Sequence, residues 1–175
     1  MQGENYIVTC NHNSLMDVPV ATPFIPGTNK TIAKSEMAKI PLFGLIYKRG
    51  SVLVDRKEKK SRQDSFKKMQ NVLSMGMHMC IYPEGTRNKS NLPLKEFHEG
   101  AFRLAIQTST PIIPALIFNT KKVLPANKTF YFHPHKMEIH FLPPIKVEEE
   151  GNAELLKQKV HLVMTDHYLQ NQKRK

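Results

Sequence analysis

Residues 6–17, Tyr-Ile-Val-Thr-Cys-Asn-His-Asn-Ser-Leu-Met-Asp, change character halfway along. Tyr6 to Cys10 is a β-branched, apolar run, the pattern of a buried strand. Asn11-His12-Asn13-Ser14 interrupts it. Leu15, Val18 and Val20 then predict a short helix with its cap near Ser14, broken by Pro23 and Pro26-Gly27. A strand that passes through a polar loop into a helix is the opening unit of a layered α/β domain.

The same alternation continues outward. Lys30 to Ala33 reads as a strand and Ser35 to Lys39 as a short helix ending before Pro41. Ser51 to Val54 reads as a strand. Phe66, Met69, Val72 and Leu73 fall at helical spacing within 61–75, with Gly76 suited to the position just past the end. Met79 to Tyr82 is a strand stopped by Pro83-Glu84-Gly85, and Phe97 to Thr108 a helix. Pro111 to Phe118 and Met137 to Leu142 are further strands. Leu156, Val160, Met164 and Tyr168 repeat at i, i+4 in a closing helix capped by Asn152. The expected fold is α/β: a single layered domain over residues 1–170, with a mixed, largely parallel central sheet flanked by helices. Residues 171–175 are expected to form a frayed basic tail.

Composition narrows the function classes. The 175 residues are 40% hydrophobic and 23% charged, the balance of a globular chain with one sizeable core. No apolar run approaches the roughly 20 residues that span a bilayer. The first residues, MQGENYIVTC, lack a basic-then-apolar signal pattern, so secretion is not expected. Lys and Arg number 26 against 15 Asp and Glu, a net charge of +11 that favours anionic partners: nucleic acid, a membrane face or phosphorylated small molecules. Cys10 and Cys80 lie in strand-like runs and read as buried thiols of a reducing compartment. His78, His133, His135 and His140 lack zinc-site spacing, and no metal or cofactor is expected.

His12 and Asp17 stand where a strand gives way to a helix, a place that presents polar side chains at a sheet edge. A histidine is a natural general base at neutral pH, and a carboxylate on its second nitrogen fixes the tautomer. No Ser or Cys nucleophile is placed beside them, so the pair would activate a substrate hydroxyl. An exposed loop histidine with an unrelated aspartate is the alternative. Tyr82-Pro83-Glu84-Gly85-Thr86-Arg87 ends a strand in a tight turn whose backbone N–H groups suit an anion, with Arg87 able to fork onto phosphate. Arg56 repeats the cation-at-strand-end arrangement. An ordinary turn with a solvated arginine is the alternative there.

Taken together, Asn11-His12-Asn13-Ser14-Leu15-Met16-Asp17 and YPEGTR resemble the first and third motifs, NHxSxxD and FPEGTRS, of the glycerolipid acyltransferase family, specifically the 1-acylglycerol-3-phosphate acyltransferases. Tyr82 stands for the usual Phe and Asn88 for the usual Ser. The second motif matches Gly50 to Arg56, and the fourth resembles Thr110 to Ala115. Ala33-Lys34-Ser35-Glu36 and Phe97 to Phe102 are similar to two minor segments. The resemblance implies transfer of a fatty acyl group from a thioester, acyl-CoA or acyl carrier protein, to a lysophospholipid hydroxyl without an acyl-enzyme. His12 would be the base and Asp17 its orienting partner. Arg56 and Arg87 would bind the acceptor phosphate, Glu84 and Gly85 would shape that pocket, Gly85 and Thr86 would offer amides to the oxyanion, and Lys34 would assist. The EGTR form implies lysophosphatidate as acceptor and phosphatidate as product. Another lysolipid acceptor is the alternative within the family.

Residues 48 to 68 hold nine Lys or Arg against Asp55, Glu58 and Asp64. They suit an anionic membrane surface, the phosphates of CoA or an acidic carrier protein, or are simply a solvated face. Ile40 to Tyr47 (IPLFGLIY) reads first as core, and second as the lining of an acyl groove or a surface that dips into lipid. The family's members carry a membrane-binding segment before the first motif, so such a segment is expected to be missing here, with the enzyme at the cytoplasmic face of the membrane. A nucleic-acid module is disfavoured, because aromatics are 8%, there is no Trp, and the basic residues are not interleaved with stacking side chains. A lipid- or carrier-binding member without catalysis is a further alternative, against which the intact His12 and Asp17 argue.

Overall fold

The computed structural model of the chain describes residues 5–39, 43–125, 131–147 and 151–172. Within them the strands are β1 (Ile7–Cys10), β2 (Asn29–Lys34), β3 (Ser51–Val54), β4 (His78–Ile81), β5 (Ile112–Phe118) and β6 (Glu138–Phe141). They form one sheet in the order β3-β2-β4-β1-β5-β6. Every pairing from β3 to β5 is parallel, and β6 closes the β5 edge antiparallel. This is the mixed, largely parallel α/β sheet that the strand–helix alternation predicts.

β1, β4 and β5 are buried along their whole length, which is why they read as unbroken apolar runs rather than alternating ones. Successive side chains point to opposite faces. Ile7, Met79, Ile112 and Leu116 face one core layer with Phe102, Leu104, Val160 and Met164; Val8, Cys80, Ile113 and Ala115 face a second, smaller layer with Ala21 and Ile25. The first layer is covered by helices α3 (Lys59–Ser74), α4 (Gly100–Thr108) and α6 (Ala153–Gln172). The second is covered by α1 (Asp17–Ala21) and by Ile25 beyond it.

The closing helix behaves as its spacing predicts. Asn152 Oδ1 accepts from the Glu154 and Leu155 amides, Leu156, Val160 and Met164 are buried, and Tyr168 packs against the same layer. Gly76 takes φ +75° just past α3, the left-handed conformation a helix stop requires. Cys10 and Cys80 are free, fully buried thiols.

Several expectations need correction. Ser14 does not cap α1: the helix starts at Asp17 behind Met16, with no side-chain cap. The Ser14 hydroxyl instead donates to the Leu124 carbonyl and accepts from the Met16 amide. The helix expected from Phe97 begins at Gly100, because His98 N donates to the Pro83 carbonyl and holds the preceding residues as an extended lead-in. Residues 40–42 lie outside the described residues. The rest of that apolar run is helix α2 (Phe43–Gly50), and Leu45 and Ile46 are 57% and 66% exposed, so this part is not core. The helix α6 continues through Asn171 and Gln172, so the tail expected from 171 is helical there; 173–175 lie outside the described residues. A one-turn helix, α5 (Thr120–Val123), is too short to announce itself by periodicity.

Candidate active site

Parallel strands all end on one edge of a sheet, and that edge is where the separate polar residues meet. His12 follows β1, Lys34 ends β2, Arg56 follows β3, and Glu84 to Arg87 follow β4. A cleft of about 830 Å³ opens there, bordered by His12, Lys34, Arg56, Gly85, Thr86 and Arg87. Leu15, Val18, Ile32, Met37 and Tyr47 line it as well. The cleft therefore offers cations and apolar surface together, which suits an anionic ligand that carries a hydrocarbon chain.

His12 and Asp17 are brought together by the first turn of α1, which curls back on the loop. His12 Nδ1 lies 2.8 Å from Asp17 Oδ2. Asp17 is fully buried, and the same oxygen accepts the Asn13 and Ser14 amides at 2.5 and 2.7 Å. Oδ1 accepts the Thr120 hydroxyl at 2.6 Å. With two backbone N–H groups already on Oδ2, the short contact to His12 requires the imidazole to donate from Nδ1. Nε2 is then the atom on the far side of the ring, where His12 borders the cleft.

The backbone of His12 is fixed from both directions by the strand-end turn after β4. Its amide donates to Glu84 Oε1 at 2.7 Å, and its carbonyl accepts the Asn88 amide at 2.6 Å. The second Glu84 oxygen accepts the Lys95 amide at 2.9 Å. Glu84 is 1% exposed and does not border the cleft, so the structure places it behind His12 rather than against a ligand. Burial pushes its carboxyl above the ordinary value, opposed by the two amides it accepts. Tyr82 packs its ring 4.8 Å from that of His12.

The turn itself is strained in the way only glycine tolerates. Gly85 has φ +71°, and a Cβ there would lie 2.6 Å from the His98 ring. Arg56 Nη1 donates to the Gly85 carbonyl, and burial lowers this guanidinium from its ordinary value. The Gly85 and Thr86 amides, expected to face an anion, are used internally: they donate to the Tyr82 and Glu84 carbonyls at 3.0 and 2.8 Å. Two cations that motif reading did not single out, Lys89 and Lys95, also border the cleft, and Lys95 Nζ donates to Thr86 Oγ1 at 2.6 Å.

Neither cysteine is exposed to act as a nucleophile beside His12 and Asp17. Cys10, two residues upstream, is fully buried with its sulfur 3.9 Å from that of Cys80. The hydrogen bond with Cys80 and then burial hold its thiol well above the ordinary value, so it stays protonated. Among the described residues no group of three or more His, Cys, Asp or Glu is arranged to hold a metal ion.

Residues 1–118 match the Acyltransferase family. The chain belongs to the acyltransferase family. The matched segment contains the whole cleft edge from His12 through Lys34 and Arg56 to Arg87. The 1-acyl-sn-glycerol-3-phosphate acyltransferase of Cocos nucifera is 31% identical over 171 residues, 95% of this chain and 55% of its own length. The enzyme of that name from Escherichia coli K12 is 28% identical over 159 residues, 90% of this chain and 63% of its own. The crystal structure of the 1-acyl-sn-glycerophosphate acyltransferase of Thermotoga maritima superposes with a TM-score of 0.80 at 26% identity, covering 98% of this chain and 68% of that one. This acyltransferase chain thus spans between about half and two thirds of these relatives.

Proposed function

We propose that residues 1–170 are the catalytic domain of an enzyme that moves a fatty acyl group from a thioester to the free hydroxyl of lysophosphatidate, giving phosphatidate. The observation that carries this reading is the His12–Asp17 pair on a cleft with cations at Lys34, Arg56 and Arg87. Relatives named 1-acyl-sn-glycerol-3-phosphate acyltransferase support the choice of acceptor.

In this mechanism His12 Nε2 takes the proton of the acceptor hydroxyl as its oxygen attacks the thioester carbonyl. Asp17 stabilises the imidazolium that forms, and Thr120 keeps the carboxylate in place. The tetrahedral intermediate collapses with loss of the thiolate, which recovers the proton from His12; an ester and a free thiol result. No acyl-enzyme is needed. Arg56 and Arg87 hold the acceptor phosphate with help from Lys34, and Gly85 keeps the turn tight enough for them to reach it. Since the Gly85 and Thr86 amides are occupied within their turn, the carbonyl oxygen's developing charge falls to side-chain donors of the cleft.

The acyl chain lies along Leu15, Val18 and Met37. Acyl-CoA or an acyl carrier protein supplies the thioester. The enzyme works at the cytoplasmic face of an anionic membrane, met by exposed Leu45 and Ile46 with Lys48 and Arg49 next to them. No helix among the described residues is long and apolar enough to cross a bilayer.

The test is thiol release from acyl-CoA with lysophosphatidate in mixed micelles. His12→Ala is expected to lose about 10²–10⁴-fold in rate, the usual contribution of a general base. Arg87→Ala is expected to raise the acceptor KM with a smaller effect on kcat. Activity persisting in His12→Ala would sink the mechanism, and an unchanged KM in Arg87→Ala would remove the phosphate assignment.

A further inference from the structure

Acyl transfer puts a negative charge on the oxygen of the thioester carbonyl, and a hydrogen-bond donor must meet it. The Gly85 and Thr86 amides are spent within their own turn. The Thr86 side chain is not. Thr86 is exposed and borders the same cleft as His12. It also lies between the two residues that grip the His12 backbone. Glu84 accepts the His12 amide at 2.7 Å, and the Asn88 amide donates to the His12 carbonyl at 2.6 Å. Thr86 thus stands midway along a stretch held against His12 at both ends.

The partner of this hydroxyl decides what it can do. Lys95 Nζ donates to Thr86 Oγ1 at 2.6 Å. An ammonium has donors and no acceptor, so the hydroxyl is the acceptor there and its own hydrogen is left for another group. Accepting from a cation also polarises the O–H into a stronger donor. Lys95 is itself held in place: its amide donates to Glu84 Oε2 at 2.9 Å, and its carbonyl lies 3.2 Å from His161 Nε2. Among the described residues no carboxylate forms an ion pair with Lys95. Its charge acts on buried Glu84, while Glu96, which also borders the cleft, acts on Lys157. The other hydroxyls near His12 are less suited. Ser90 Oγ donates to Asn88 Oδ1 at 2.7 Å, and the Tyr82 oxygen is buried.

We propose that Thr86 is a catalytic residue whose hydroxyl donates to the carbonyl oxygen of the tetrahedral intermediate, and that Lys95 is the positioning residue that aims and polarises it. This rests on the acyl-transfer reading with His12 as the base. As the acceptor oxygen bonds to the carbonyl carbon, the carbonyl π pair moves onto its oxygen and the bond from Thr86 strengthens. The proton stays on Thr86. When the carbon–sulfur bond breaks, that pair returns to re-form the carbonyl, and the thiolate takes the proton held by His12.

Thiol release from acyl-CoA with lysophosphatidate tests this, with His12→Ala run alongside. Thr86→Val keeps the shape of the side chain without the hydroxyl, and is expected to lower kcat about 10²–10³-fold with little change in either KM. Thr86→Ser is expected to recover most of the lost rate. Lys95→Met is expected to lower kcat on its own, and to add nothing to Thr86→Val, because it acts through that hydroxyl. Circular dichroism of Thr86→Val should match the wild type, since the residue is exposed. A wild-type kcat in Thr86→Val overturns the proposal, as does a Thr86→Ser enzyme as slow as Thr86→Val. If His12→Ala is inactive in the same assay, the base mechanism stands without it. A loss that falls on the acceptor KM in Thr86→Val gives the hydroxyl to the phosphate, and one that falls on the acyl-CoA KM in Lys95→Met gives the lysine to the donor; either result also overturns it. Activity retained in His12→Ala overturns both readings together.

Discussion

Asp17 accepts hydrogen bonds from the Asn13 and Ser14 amides, the Thr120 hydroxyl and the His12 ring, and through them it holds Nδ1 of His12 against the carboxylate and leaves Nε2 as the nitrogen that the proposed mechanism uses. Glu84 does the corresponding work for the backbone. Its two oxygens hold two different amides, those of His12 and Lys95, so the residue is a brace between the first and third motifs. A glutamine has one acceptor oxygen, and its amide would face an N–H group. Glu84→Gln is therefore expected to cost about 1–3 kcal/mol of stability, the penalty of a buried donor left unmatched. It should lower kcat by shifting His12 while leaving the acceptor KM near the wild-type value. Thermal unfolding and steady-state kinetics check this together; a rise in KM with unchanged stability would return Glu84 to the ligand. The identity of Glu84 as a significant residue is readable in the Tyr82–Arg87 motif. Its direction is not, because a carboxylate at a strand end can turn toward a ligand or back into the loop.

At the scale of elements, the parallel strands explain why residues spread from 12 to 87 share one edge. The joints between strands are also sites of pH sensitivity. His78 opens β4, and its Nδ1 accepts the Tyr6 amide at 3.0 Å, tying β4 to the residue before β1. Burial lowers the His78 ring from its ordinary value, against a smaller opposing effect of the Pro26 carbonyl. The folded state thus favours the neutral ring. In the unfolded chain the ring takes up a proton near pH 6.5, before the folded protein does. Stability should be full above that pH and fall as the pH drops from it toward the lower folded value. His167, lowered by burial and then by His140, acts in the same direction. Denaturant midpoints at neutral and mildly acidic pH are expected to converge for His78→Gln with His167→Gln, relative to wild type. Undiminished acid sensitivity in that double variant would show that other groups are responsible. Helix α2 is the element that hydropathy misplaces. Its apolar composition is plain, but Gly44 packs against the Ala38 backbone, and this contact turns Leu45 and Ile46 outward.

For the whole molecule, charge is the dominant surface property. Nine of the basic residues lie within 48–68, and Lys57, Lys59, Lys60, Arg62, Lys67 and Lys68 are exposed on α3 and the loop before it. Attraction of such residues to acidic lipid is screened over the Debye length, which shrinks from about 10 Å at 0.1 M salt to about 3 Å at 1 M. Pelleting with acidic vesicles is expected to fall steeply across that range, to be weak with neutral vesicles, and to drop further in Lys59→Glu with Lys60→Glu. Salt-independent pelleting would assign membrane binding to the apolar residues of α2 instead. The chain's local patterns were enough to specify the alternation of strands and helices, the order of the motifs, and the His12–Asp17 couple, whose members are five residues apart and joined by one helical turn. Hydropathy and spacing encode such short-range relations directly. Thr120 reaches Asp17 across 103 residues and Glu84 reaches His12 across 72, and no periodicity connects them. Those contacts, the consumption of the Gly85 and Thr86 amides within their own turn, and the outward face of α2 came from packing. A residue's chemistry is carried by its type, but its partners and its exposure are set by which surfaces the folded sheet and helices bring together.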